Sequence, residues 1–323
     1  MRNALITGGT GFIGSHLAER LRDLDWKVSA LVRDPDKLKF LDGSGVRILP
    51  GDLQNLPELP GDIDVVFHLA GLTKALQTAF YYKINQEGTA SFLDALVKLK
   101  PGPRVVLLST FAAAGPGDAA RPRREDDPPA PVSPYGDSKL QGEREALARK
   151  HLLQTAIVRV GAVYGPRDAD FLDYFKTIKR GLLPSFGRKR RLMTVCYVRD
   201  LVDGLLAVAG SSGPSGEIYN IGHPEPCAMD DIGRAAARAL GVRARRLVLP
   251  LSLVYAVAYF REKRSAGKKA PTAVHRAKVT EYRQSGWVAD VGKARERLGF
   301  TAATPLEEGI RETIDWYKSA GRL

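Results

Sequence analysis

The chain has 323 residues, 44% of them hydrophobic and 26% charged, a balance expected of a soluble globular protein and not of a disordered or low-complexity one. No apolar run reaches the roughly 18 residues of a membrane-spanning helix, no room for a signal peptide precedes the first apolar strand, and Cys196 and Cys227 lack metal-ligand spacing, so a reducing, cytoplasmic setting without a metal site is expected. The net charge of +13 is uneven: residues 1–170 carry 22 basic against 21 acidic side chains, a net of +1, and residues 171–323 carry 27 against 15, a net of +12.

Residues 4–21, ALITGGTGFIGSHLAERL, open the chain with an apolar run, four glycines (Gly8, Gly9, Gly11, Gly14) and an apolar stripe at Ile13, Leu17 and Leu21. This pattern predicts strand, tight turn and helix. In such a turn glycines let the backbone approach a pyrophosphate, and the helix N-terminus offers it free N–H groups and a positive dipole end. The spacing is G-x-x-G-x-x-G, and the strand and helix around it supply the context a dinucleotide site needs.

Residues 27–32 (KVSALV) predict the second strand, ending at Val32-Arg33. An acidic residue there would accept from a ribose 2′-OH; a cation suits a 2′-phosphate. Arg33 therefore favours NADP over NAD, with Asp34 keeping NAD open. Further strands are expected at 46–49, 64–69, 104–109 and 155–160, a long helical region at about 75–98, and a helix opening at Ser133-Pro134 with Ser as cap and Pro in the first turn. Strands alternating with helices predict an α/β fold, a doubly wound parallel sheet with a second, smaller substrate lobe. The expected division is a dinucleotide-binding domain at 1–165, to which 197–222 return through a strand near 217–221, and a substrate-binding lobe over 166–323.

The helix from Ser133 carries Tyr135 and Lys139, four residues apart and so on one face. A free phenol titrates near 10 and is a weak base at neutral pH. An adjacent ammonium favours its phenolate and brings it toward working pH. The same Lys139 can reach a ribose hydroxyl of the cofactor, so Tyr135 and Lys139 are expected among the cofactor-binding residues as well. A hydroxyl donor, Ser109 or Thr110, follows the fifth strand, where ligands of open α/β sheets bind.

These residues resemble the extended short-chain dehydrogenase/reductase family, of the NAD(P)-dependent epimerase/dehydratase type. The similarity runs through TGGTGFIG, Gly51-Asp52-Leu53, His68-Leu69-Ala70-Gly71, Asn85 with Gly88-Thr89, Leu108-Ser109-Thr110, Tyr135-x-x-x-Lys139 and RVGAVYGP from Arg159. It continues at Tyr197-Val198-Arg199-Asp200, Tyr219-Asn220-Ile221-Gly222 and KARERLGF from Lys293. The resemblance implies that Tyr135 is the acid/base, Lys139 its partner and Thr110 the hydroxyl on the reacting oxygen. It places Gly8, Gly11, Phe12, Ile13 and Gly14 at the cofactor phosphates, and Asp52 and Leu53 beside the adenine. Leu69, Ala70 and Gly71 line the cofactor channel, and Val163 approaches the nicotinamide. His68 is expected to be a packed strand residue. The implied step is hydride transfer between nicotinamide C4 and a carbinol or ketone carbon. Reductases use it once; epimerases and dehydratases use it twice. A homodimer is implied as well.

The substrate is the open question. Members acting on sugar nucleotides carry an Arg gripping the diphosphate where this chain has Met193, and a thioether lacks the bidentate guanidinium fork. Arg190 or Arg191 is the nearest substitute; Thr73 and Tyr255 join Arg191 and Met193 as substrate-contact candidates. Residues 247–260, LVLPLSLVYAVAYF, hold no charge and are followed by basic residues. They read as a buried lobe helix, an apolar lid over a hydrophobic substrate, or an interfacial helix on anionic lipid. A hydrophobic ketone or alcohol, as in the hydroxysteroid dehydrogenase and dihydroflavonol reductase branches that this arrangement resembles, is the leading expectation. A nucleotide-sugar epimerase or dehydratase is the alternative, and a non-catalytic dinucleotide sensor the third. The basic second half admits a phosphorylated substrate or a peripheral anionic membrane contact. No nucleic-acid-binding module is apparent, so no nucleic-acid partner is expected.

Overall fold

A computed structural model describes residues 2–75, 77–187, 189–252, 280–281 and 283–323, with Phe186 described by its backbone alone. Its centre is a parallel sheet of seven strands: β1 (Asn3–Thr7), β2 (Lys27–Val32), β3 (Arg47–Pro50), β4 (Val65–His68), β5 (Arg104–Thr110), β6 (Thr155–Val160) and the strand Glu217–Ile221, which we number β11 in chain order. They lie in the order β11-β6-β5-β4-β1-β2-β3. The order reverses between β1 and β4, so the connections leave in opposite directions there and open a crevice at the carboxyl ends of the strands.

The strands are continuous apolar runs because both faces are covered. On one face, helix α1 (Phe12–Asp23) buries Leu17 and Leu21 beside Leu201, Leu205 and Val208 of α7 (Val198–Gly210). On the other, Leu93 and Leu96 of α3 (Thr89–Val97) and Ala146 of α5 (Pro134–Ala148) pack on Leu5, Val66, Leu107 and Ile157. The expected long helix at 75–98 begins later, as α2 (Thr78–Tyr82), and passes through a π-helical turn, Lys83–Gly88, before α3. That wider turn faces Asn85 inward, where its amide bonds Leu72 and Ser138. A short helix α4 (Phe111–Ala114), absent from the sequence reading, follows β5 directly.

The second half adds three small sheets. β7 (Ala162–Tyr164) pairs in parallel with β10 (Val195–Tyr197). β9 (Leu192–Met193) runs antiparallel to β12 (Cys227–Ala228). β8 (Leu182–Phe186) pairs in parallel with β13 (Arg245–Leu249). Helices α6 (Leu172–Lys179), α8 (Met229–Leu240) and α10 (Leu306–Ser319) close a third core around Phe175, Ile232, Ile310 and Ile314. Two features differ from the sequence reading. Helix α9 (Gly292–Leu298) and Ala302, expected in the lobe, join the main-sheet core, with Ala294 buried there beside Tyr219 and Ile221. The uncharged stretch from Leu247 begins as an exposed strand rather than a helix, because β8 offers it a pairing edge. Its remainder from 253 onward, Tyr255 included, lies outside the described residues.

Candidate active site

Strands β1 and β4 end level with one another at Thr7 and His68, beside Leu107, and β5 runs three residues further in the same direction to Thr110. The first turn is built for a backbone-close ligand. Gly8 has φ +76, and a Cβ there would lie 2.9 Å from the Ala70 backbone nitrogen. A Cβ on Gly14 would lie 2.3 Å from the Gly8 carbonyl oxygen. Both positions need glycine, one for its φ and the other for the close packing of helix on turn. Gly11 caps α1 without a side chain, and the Gly11 N–H donates to Gly8 O at 3.0 Å. The first-turn N–H groups at Phe12, Ile13 and Gly14 therefore have no side-chain cap and stand where a pyrophosphate would bind. These residues fit a dinucleotide.

The floor beside that turn is held by His68. The Ala70 N–H donates to Thr7 Oγ1 at 3.1 Å, and Thr7 Oγ1 lies 2.7 Å from His68 Nδ1. The Thr89 hydroxyl donates to Asn85 O at 2.8 Å and lies 3.0 Å from His68 Nε2. Counting donors assigns a neutral imidazole that donates from Nε2 and accepts at Nδ1. Complete burial pushes its pKa down to about 3. His68 is thus a packed brace and no base.

On α5 the residues Tyr135, Lys139 and Glu143 recur every four positions, a stripe that descends from the cleft into the protein. Ser133 caps the helix: its Oγ accepts from Gly136 N at 3.2 Å and donates to Glu281 at 2.9 Å. The Tyr135 ring is half-buried and faces Tyr81 at 6.0 Å. Lys139 is 8% exposed, donates to the Leu108 carbonyl at 2.8 Å, and has its pKa pushed down to about 8 by burial. A Cβ on Gly71 would lie 3.6 Å from Lys139 Nζ. The buried amine therefore opens on the loop after β4. Asn85 fastens that loop: its Oδ1 accepts from Leu72 N at 2.7 Å, and its Nδ2 donates to Leu72 O and Ser138 Oγ.

Thr110 is half-buried at the mouth of β5 and accepts from Ala112 N at 3.2 Å as the cap of α4. Ser109, one residue earlier, points the other way and is buried against Glu143. Asp52 accepts two backbone N–H bonds at 2.8 Å, from Gln54 and Asn55, which hold its carboxyl below the usual range. Leu53 is buried under Gly88, whose Cβ would lie 3.0 Å from that of Leu53. Leu69 and Val163 are half-buried against the main-sheet core, and Ala70 packs on the opposite face of the sheet. Arg33 and Thr73 are exposed.

Met193 and Arg191 lie in the lobe. Met193 pairs with Cys227 and bridges to Trp287, while Arg191 Nε donates to Gln284 O at 2.9 Å. Sequence reasoning did not assign roles to Asn85, Glu143 or Glu281. Among the described residues no group of His, Cys, Asp and Glu is placed to hold a metal ion, and no helix is long and apolar enough to cross a membrane.

The model of the NAD dependent epimerase/dehydratase family matches residues 4–222. The chain belongs to this family. It is 27% identical to a ceramide reductase of Caulobacter vibrioides, over 98% of this chain and 95% of that one. It is also 27% identical to a ketoreductase of Stigmatella aurantiaca named for a 4-hydroxy-2-methyl-3-oxo-4-farnesyl-3,4-dihydroquinoline-1-oxide, over 94% and 93%. A solved structure of a UDP-glucuronic acid 4-epimerase from Bacillus cereus, in complex with NAD, superposes with a TM-score of 0.80 at 25% identity, covering 98% of this chain and 99% of that one. The protein is an NAD(P)-dependent enzyme of this superfamily, with the family's doubly wound sheet.

Proposed function

We propose that the protein is an oxidoreductase of a hydrophobic ketone or alcohol, with Tyr135 as acid/base, Lys139 as its charged partner and Thr110 holding the reacting oxygen. The observation that carries the acid/base reading is the α5 stripe, with Lys139 buried one turn below Tyr135 and opening toward Gly71. The bound nicotinamide supplies or accepts the hydride. Lys139 favours the phenolate of Tyr135, so that this phenol gives its proton to the forming alkoxide in reduction and takes it in oxidation. Thr110, at the mouth of β5, hydrogen-bonds the same oxygen.

The apolar substrate is supported by Met193, a half-buried thioether in the lobe, and by the engagement of Arg191 with a backbone carbonyl. The two relatives named as reductases of ceramide and of a farnesylated quinoline support it too. NADP is favoured over NAD because Arg33 stands exposed after β2, while Asp34 is tied to Lys37 at 2.5 Å. A homodimer and a peripheral contact with anionic membrane belong to the same proposal. The membrane contact is supported by Leu182, Leu247 and Val248, exposed at 43%, 42% and 36% beside Arg243, Arg245 and Arg246.

The second reading, a nucleotide-sugar epimerase or dehydratase, is favoured by the full-length likeness to the UDP-glucuronic acid 4-epimerase. One experiment separates the two: purified protein with NADPH and a panel of long-chain ketones, beside the same protein heated with UDP- and dTDP-sugars. Stoichiometric NADPH consumption with a ketone supports the first. No net redox with any ketone, with a melting temperature raised by a sugar nucleotide, supports the second.

A further inference from the structure

Two turns of α5 below Tyr135, Glu143 is 1% exposed and receives three hydrogen bonds. Arg159 donates to it from Nε at 3.0 Å and from an Nη at 2.7 Å, and the Ser109 hydroxyl donates to its Oε1. Ser109 and Arg159 are register partners on β5 and β6, so they project from the same face, toward α5. The carboxylate thus spans both strands and the helix. The neighbouring bonds continue the pattern. The carbonyl of Leu108 accepts from Lys139, the hydroxyl of Ser109 goes to Glu143, and Thr110 stands next at the cleft.

We infer that Glu143 is a positioning residue of the reaction: it fastens the end of β5 to α5, setting Thr110 against Tyr135, and it is the counter-charge that keeps Lys139 an ammonium. Stability alone does not account for the pair. A buried ion pair adds little over apolar packing of the same volume, and the Nη1 of Arg159 has no partner among the described residues.

Among the described residues the charges around Lys139 are few. Glu143 and Tyr135 flank it on its own helix, and Arg159 pairs with Glu143 from β6. His68, from β4, is neutral, and Tyr81 faces Tyr135 from α2. Burial works to discharge Lys139, and Glu143 works against it. Removing the carboxylate therefore lowers the ammonium fraction and weakens its hold on the Tyr135 phenolate. Glu143 acts on Tyr135 itself from about 12 Å, twice its distance to Lys139 along the helix, so the effect through Lys139 dominates.

This rests on the acid/base reading above, and its test needs no substrate. In NADP-loaded protein, the tyrosinate absorbance of Tyr135 is titrated by difference against Tyr135→Phe. In Glu143→Gln the midpoint is expected to rise by about one pH unit, Glu143→Asp to restore most of it, and NADP affinity to stay unchanged. A folded Glu143→Gln protein with an unmoved midpoint, or one that loses NADP affinity in parallel, overturns the inference. If the Gln amide against Arg159 prevents folding, the double variant Glu143→Leu/Arg159→Met, which removes the anion and its cation together, is titrated instead: a smaller rise of the midpoint is expected, because the carboxylate lies one helical turn from Lys139, and an unmoved or lowered midpoint overturns the inference. If Tyr135 shows no titration of its own in the parent protein, the acid/base reading fails instead.

Discussion

Glycine at position 14 gives the sharpest structural prediction, because two rules oppose there. Alanine is favoured over glycine in a helix by about 1 kcal/mol, and Gly14 lies within α1. Yet a Cβ at Gly14 would sit 2.3 Å from Gly8 O and 2.8 Å from the Gly9 Cα, both backbone atoms. Neither can swing away as a side chain would, so α1 must shift off the turn. Such overpacking costs about 1–3 kcal/mol. The clash outweighs the propensity, and Gly14→Ala is expected to lose about 1 kcal/mol, or roughly 2 °C in melting temperature. The dinucleotide is affected more, since a displaced helix N-terminus gives up a charge-assisted bond to phosphate worth about 1.5–3 kcal/mol, so Kd rises about ten-fold or more. Gly210→Ala is the control: it ends α7 with open space around its Cβ and an ordinary φ, so alanine should stabilise slightly and leave binding alone. The assays are differential scanning calorimetry and NADPH fluorescence titration. A Gly14→Ala protein that melts higher and binds NADPH as the parent does would refute this reasoning.

Three further outcomes are expected. Arg33→Ser should weaken NADPH by about ten-fold while leaving NADH within error; equal loss of both, by the same titration, would remove Arg33 from the 2′-phosphate site. His68 is held neutral in the fold with a pKa near 3, below its ordinary 6.5, so the unfolded chain binds the extra proton between those values. Its contribution is present above pH 6.5 and is lost as pH falls toward 3, about 1.4 kcal/mol per unit; urea unfolding across that window should show a shallower pH slope in His68→Gln. Finally, vesicles containing phosphatidylglycerol should cosediment the protein in a salt-sensitive manner. Leu182→Ser/Leu247→Ser should reduce this, and equal retention by neutral vesicles would speak against a charged contact.

The parts of the fold read from sequence are those coded locally. β6 is found at the expected residues because TAIVRV is an unbroken strand-forming run, and α5 starts at Ser133 because the cap and the proline stand in sequence. The π turn at Lys83–Gly88 was not readable. Its cause is tertiary: Asn85 must face Leu72 and Ser138, which no helical period demands. β8 and β13 escaped for the same reason, since their pairing spans 63 positions of sequence between Leu182 and Arg245 and leaves β13 exposed without alternation. In the site, Tyr135 and Lys139 were visible as an i, i+4 pair. Glu143 continues that spacing, and Arg159 is the one charge in an apolar strand, but only the register of β5 with β6 brings them together.

The central claim is that Tyr135 exchanges the proton while hydride passes to or from the nicotinamide. The most direct measurement is single-turnover oxidation of NADPH by a ketone accepted in the panel, comparing the parent protein with Tyr135→Phe. The expected result is unchanged NADPH affinity with a rate lower by about 10²–10⁴-fold. A Tyr135→Phe protein that reduces the ketone at the parent rate would contradict it.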